Sequence, residues 1–199
     1  MRIAVLALDG LFDTGLTVMP DALGAANKLA VRAMGHAPDF EVSIVGMRKR
    51  VQSSHGLLIP VQPVAATPRP DWVIVPALNT TSPDELLASL ADLREAKAQL
   101  IRWHEAGAKI GASCIGTFLL AETGLPDGRQ VTTNWPLAPL FRRRYPDIRL
   151  DESRMPIPSD IGVTAGSAMG HLDLAPWLIR TMSPELSSLV SHDLRAELR

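Results

Sequence analysis

The feature that most constrains this chain is the alternation of short aliphatic runs with stretches of helical periodicity. Residues 3–8 (IAVLAL) form an unbroken apolar run that stops at Asp9-Gly10. Such a run, with no polar alternation, fits a strand buried on both faces. Residues 16–34 then carry Leu16, Met19, Leu23, Ala26 and Ala30 at helical spacing, and Gly35 follows as a stop. A second strand is predicted over 40–46, a hairpin-like excursion turning near Gly56 over 48–59, and a loop where Pro60, Pro63, Pro68 and Pro70 remove ladder donors. Trp72–Val75 is a further buried strand ended by Pro76. Ser82-Pro83-Asp84-Glu85 places an N-cap serine, a proline at the first helical position and a glutamate at the third, a complete capping box. The helix it opens runs to Glu105, with a break near Leu90. Strands at 109–113, 130–133 and 163–166 and helices at 117–123, 139–145, 167–181 and 184–197 complete the pattern, with Arg149 at a strand position.

Repeated strand–helix alternation predicts an α/β fold. A mostly parallel central sheet is flanked by helices, a flavodoxin-like three-layer sandwich in one domain spanning residues 1–199. Sheets of this kind bind ligands beyond the carboxyl ends of their strands. That directs attention to Asp9-Gly10, residues 76–81, 113–116 and 133–135, and Ala165-Gly166.

Composition excludes several classes. A formal net charge of −1, from 20 basic and 21 acidic residues, disfavours a broad nucleic-acid surface. The run Arg142-Arg143-Arg144 is too short to change that. The lone cysteine, Cys114, makes neither an internal disulfide nor a cysteine-based zinc site, which points to a cytoplasmic location. The N-terminal apolar run is too short for a signal peptide, and no stretch is long enough to span a membrane. Neither glycine-rich nucleotide fingerprint is present, and no metal or cofactor is expected.

Cys114 carries the most chemical information. It lies between a strand and a helix, flanked by Gly111 and Gly116, which is the pattern of a nucleophile elbow. On such a turn the side chain is expected at the mouth of a cleft, with its pKa lowered by the helix N-terminus. A base is harder to find. His36 and His104 sit beside helix ends, His192 in the last helix and His55 in the hairpin excursion. His171, one turn into its helix, is the one expected near the carboxyl edge, and it reads as a satisfied helix histidine. Asn134, close to the cysteine by topology, has no basic nitrogen.

The stretch 111–125 (GASCIGTFLLAETGL) resembles the elbow of the PfpI-like branch of the class I glutamine amidotransferase-like superfamily. Residues 127–135 (DGRQVTTNW) are similar to that branch's ending Thr-Thr-His-Trp, and Phe141, Tyr145-Pro146 and 163–166 followed by Asp173-Leu174-Ala175 fit its later motifs. Leu8-Asp9-Gly10 through Leu23, Ala26 and Asn27 resembles its first strand and helix. Within the branch the wording is most similar to N-terminal sensor domains of AraC-family transcriptional regulators. The resemblance implies a homodimer binding an unknown small-molecule effector, no membrane, and DNA contact only through a C-terminal helix-turn-helix part outside this chain.

The departures bear on catalysis. The first-loop carboxylate of the family's enzymes is missing at Gly15 and Leu16, with Asp13 the nearest acid. The histidine before the tryptophan is Asn134, and the Gly-Gly often found after the third strand's proline is Ala77-Leu78. The expectation is a retained pocket around a vestigial catalytic position, Cys114, with Asp13, Asn79, Thr80, Cys114, Ile115, Asn134 and Trp135 as ligand-binding residues. Two other readings remain open: a cysteine-dependent enzyme of isocyanide hydratase-like or amidase-like type, and a thiol redox sensor.

Overall fold

The computed structural model describes residues 1–35, 40–80 and 82–193. His36, Thr81 and the end of the last predicted helix lie outside the described residues. Strands are β1 (Arg2–Leu6), β2 (Glu41–Gly46), β3 (Arg50–Gln52), β4 (Leu58–Pro60), β5 (Gln62–Pro63), β6 (Trp72–Val75), β7 (Lys109–Ser113), β8 (Gln130–Val131), β9 (Arg149–Leu150), β10 (Ile157–Ser159) and β11 (Gly162–Ala165). Helices are α1 (Asp13–Met34), α2 (Pro83–Asp92), α3 (Arg94–Glu105), α4 (Gly116–Ala121), α5 (Ala138–Arg144), α6 (His171–Met182) and α7 (Pro184–Asp193).

Seven strands form the central sheet in the order β10-β11-β7-β6-β1-β2-β5, parallel throughout except for the β10–β11 hairpin at one edge. The predicted α/β class and its mostly parallel sheet are therefore correct. From β1 the chain steps to β2 on one side, whereas β6 leads to β7 in the opposite direction. Right-handed crossovers then place α1 and α3 on opposite faces. The α6 and α7 helices pack with α1, and α4 packs with α3. The strand ends of β1 and β6 are thus the topological switch point of the sheet.

Local choices agree with this frame. Ser82 caps α2, its Oγ accepting from the Glu85 N–H at 3.2 Å, with Pro83 following as the first helical residue. The α2–α3 break falls at Leu93, three residues later than predicted. Asn27 on α1 grips the entry to β2, donating to the Phe40 carbonyl and accepting from its N–H, both at 2.9 Å. Phe118 of α4 meets Phe141 of α5 and Tyr145 edge to face, with Phe118 and Phe141 centroids 4.9 Å apart.

Three expectations are corrected. The predicted strand 130–133 shrinks to β8, which leaves the main sheet to pair with β9. Pro60 and Pro63 stand in β4 and β5, and both are tolerated because β5 is an edge strand and β4 pairs only with β3. The helix predicted over 167–181 starts at His171, so that histidine is its first residue. The arginine run, read as too short for a nucleic-acid patch, carries ion pairs instead: Arg142 with Glu152, and Arg144 with Glu122 at 2.8 Å.

Candidate functional site

The end of β7 builds the elbow. Cys114 has φ 52°, the one non-glycine residue with positive φ among the described residues. A left-handed conformation at a side-chain-bearing residue costs on the order of 1–3 kcal/mol and persists only where neighbours hold it. Here they do. The Cys114 N–H extends the β7–β11 ladder by donating to the Ala165 carbonyl at 2.8 Å. Its own carbonyl accepts from Thr133 Oγ1 at 2.7 Å and from the Thr117 N–H at 3.2 Å. Gly116 lets α4 start against β6: a Cβ there would lie 2.6 Å from the Pro76 carbonyl oxygen and 2.7 Å from that of Val75.

The elbow geometry matches expectation, but the thiol does not. Cys114 is only 3% exposed, and burial pushes its pKa up to about 11, outweighing the Ile115 N–H that favours the thiolate. The expected accessible, helix-activated cysteine is therefore corrected to a buried neutral thiol. Desolvation outweighs the one backbone hydrogen bond that favours the thiolate.

His171 lies on the inner side of the same edge. Its Nε2 accepts from the Ala77 N–H at 3.3 Å and from Ser113 Oγ at 2.7 Å. The amide can only donate, so Nε2 is the acceptor and the proton sits on Nδ1. The ring is fully buried, and burial lowers its pKa to about 4 despite the nearby Ala168 backbone. A Cβ on Gly15 would come within 3.0 Å of Nε2 and 2.7 Å of Pro76 Cβ, so glycine at the start of α1 makes room for the ring. Nδ1, which carries the proton, is buried with no hydrogen-bond partner, so the satisfied helix histidine that the sequence indicated is corrected to one bonded through Nε2 alone. It ties β6, β7 and α6 together.

Asp13, the first residue of α1, has a partner that sequence reasoning missed. Its Oδ2 meets His55 Nδ1 at 2.5 Å, and Ser53 and His55 hold its carboxyl below the usual carboxylate range. The β3–β4 hairpin delivers His55 because it folds over the first loop, where the Ser54 N–H donates to the Leu11 carbonyl and the Gly10 N–H to that of Gln52. The hairpin itself was legible. Its docking, across 42 residues of sequence, was not.

The predicted binding residues divide into groups. Asn79 and Thr80 line a cavity of about 500 Å³ with Asp9 and Gly10; Asp13, Cys114, Ile115, Asn134 and Trp135 do not line it. Cys114 and Ile115 are buried at the elbow. Asn134 follows the Thr133 that bonds the Cys114 carbonyl, and its Oδ1 is buried with no hydrogen-bond partner, as is Thr117 Oγ1 on α4. Trp135 is 77% exposed on the 3₁₀ turn Trp135–Leu137. No group of three metal-ligating side chains occurs among the described residues, and no helix among them is long and apolar enough to cross a membrane.

A parallel sheet bearing a positive-φ cysteine between β7 and α4 is the arrangement of the DJ-1/PfpI fold, and solved structures agree. The chain superposes on a ThiJ/PfpI family protein from Pseudomonas syringae with TM-score 0.79 and 17% identity, covering 100% of this chain and 76% of that one. DJ-1beta of Drosophila melanogaster matches with TM-score 0.77 and 16% identity, covering 99% and 98%. An AraC family transcriptional regulator structure from Pseudomonas putida matches with TM-score 0.73 and 23% identity, covering 97% and 98%. No family model matches the chain. By sequence it is similar to the HTH-type transcriptional regulator CdhR of Pseudomonas aeruginosa, 28% identical over 111 residues, covering 53% of this chain and 33% of the regulator. It is also similar to the HTH-type transcriptional regulator GlxA of Rhizobium meliloti, 31% identical over 84 residues, covering 42% and 26%. The matched parts thus span about a third and a quarter of these two regulators.

Proposed function

We propose that this chain is the effector-sensing and dimerising domain of an AraC-type transcriptional regulator, with DNA contacted through a helix-turn-helix part outside residues 1–199. The single observation that carries this reading is the sequence similarity to helix-turn-helix regulators over only a third and a quarter of their length, on a DJ-1/PfpI fold. The site supports it. A cysteine with a pKa of about 11 presents almost no thiolate at neutral pH, and Asn134 offers no base beside it. In this reading the residues at the carboxyl edge, Asp13, Asn79, Thr80, Ile115, Asn134 and Trp135, serve recognition, and the domain has no catalytic duty and no cofactor. It works in the cytoplasm.

Two measurements test it. Light scattering of residues 1–199 at micromolar concentration is expected to give a dimer mass, since a two-fold sensor suits paired DNA half-sites. A monomer removes the assembly claim. The same residues are expected to bind duplex DNA no better than a neutral protein, and salt-sensitive binding would contradict the assignment of DNA contact elsewhere.

The strained elbow and the Asp13–His55 pair favour one alternative, a cysteine-dependent enzyme of the isocyanide hydratase-like or amidase-like kind. General acid–base assistance is worth about 10²–10⁴-fold, so with Asn134 beside the elbow, turnover of an isocyanide or a 2-oxoaldehyde is expected to be negligible. Clear turnover abolished by Cys114→Ala would establish the alternative.

A further inference from the structure

The cavity lined by Asn79 and Thr80 lies at the switch point of the sheet, between the β1 and β6 strand ends and the α2–α3 wall. At about 500 Å³ it falls within the range of small-molecule sites. Its floor is apolar, formed by buried Ala7, Leu8, Leu78 and Ala96. Its charged lining is one-sided: the acids are Asp9, Glu85, Asp92 and Glu95, and the one basic residue is Arg48. Arg48 is engaged by Asp9, Nη1 to Oδ2 at 3.2 Å, and Asp9 Oδ1 accepts from the Gln52 N–H at 2.8 Å. Asp9 and Glu85 also line the adjoining groove that holds Arg48 and Arg50, and the remaining acids of the cavity are Asp92 and Glu95, which bracket the helix break at Leu93.

We propose that this cavity binds a small amphipathic primary amine, its ammonium held between the α2–α3 carboxylates and the Asn79 and Thr80 side-chain oxygens and its apolar stem laid on the Leu8–Leu78 floor. The lining discriminates among cations. A quaternary ammonium is ordinarily recognised on aromatic faces, and no aromatic side chain lines the cavity. A primary ammonium carries three N–H donors and needs acceptors, which this wall supplies. The adjoining groove under the β3–β4 hairpin holds Arg48 and Arg50, so the ammonium end belongs at the α2–α3 wall. Biologically the proposal rests on the sensing role above, but direct binding to this chain is a separate matter.

The test is titration of residues 1–199 with hexylammonium, hexyltrimethylammonium and hexanoate at one low ionic strength, followed by calorimetry and amide NMR. Hexylammonium is expected to saturate with shifts centred on Asn79, Thr80 and Ser89. Hexyltrimethylammonium should bind at least tenfold more weakly and hexanoate not at all. Asp92→Asn/Glu95→Gln, both at exposed positions, should weaken hexylammonium at least tenfold, and Cys114→Ala should leave it unchanged. Absence of hexylammonium binding, equal or tighter binding of either comparator, shifts centred on Ile115 and Asn134, or indifference to the double variant would each overturn the proposal. None of those results bears on dimerisation or on DNA contact elsewhere, so failure here and failure of the regulator reading are distinguishable.

Discussion

Native protein incubated with an alkylating thiol reagent at pH 7 is expected to leave Cys114 unmodified on a timescale that fully labels a free cysteine, and to take up one label when unfolded in denaturant. Two effects act in the same direction. With a pKa of about 11 the thiolate fraction at pH 7 is roughly 10⁻⁴, against about 3% for an ordinary thiol. That alone slows the reaction by about 10²–10³-fold. Burial of the side chain, 3% exposed, slows it further. The pH dependence has a defined sign. The folded pKa is raised, so the stability the neutral thiol contributes is present below the unfolded pKa and is lost as pH climbs from about 9 towards 11. Mass spectrometry of the native protein after a timed pulse checks the prediction. Labelling within a few-fold of a free thiol would mean that the elbow opens to solvent and that the enzyme or redox readings regain force.

The second large effect is acid destabilisation through His171. Its folded pKa, about 4, lies below the ordinary 6.5, because the ring is buried neutral with Nε2 accepting from Ala77 and Ser113. The unfolded chain takes up a proton near pH 6.5 and the folded chain does not. The stabilisation is therefore complete above the unfolded pKa and is lost as pH falls from about 6.5 to about 4, a change of about 3 kcal/mol for one proton. Denaturant melts of wild type and His171→Gln across this window isolate it. The glutamine variant should be less stable at pH 7.5, and its deficit should shrink by most of that amount towards pH 4. A deficit constant with pH would mean that His171 is not held neutral in the fold.

The sequence made the layering and the elbow legible because both rest on local rules. An unbroken aliphatic run ending at Asp9-Gly10 needs no tertiary knowledge to be taken as a buried strand. Ser82-Pro83-Asp84-Glu85 is legible as a helix start because the cap bond spans three residues. The Gly111 to Gly116 spacing marked the turn that became φ 52° at Cys114. What escaped depended on contacts between segments distant in sequence. The thiol's pKa is set by how much protein covers it, and no local pattern reports that. His55 reaches Asp13 only because a hairpin folds back over the first loop. Residues 130–133 read as one strand, but only Gln130 and Val131 pair, with Arg149 and Leu150 in a separate two-stranded sheet, a partner distant in sequence. Asn79 and Thr80 were expected to share a pocket with Cys114. Instead the Leu11–Leu78 bridge and the Phe12 N–H to Ala77 carbonyl bond, at 3.0 Å, tie the first loop to the β6 end, and the cavity opens on the α2–α3 side.

The central claim, that these residues sense an effector on behalf of a DNA-binding part elsewhere in the same protein, is tested most directly by reading the native transcript past the codon for Arg199. An open frame encoding a pair of helix-turn-helix motifs is expected there. A stop codon there, with dimeric protein accumulating in cells at this length, would contradict it.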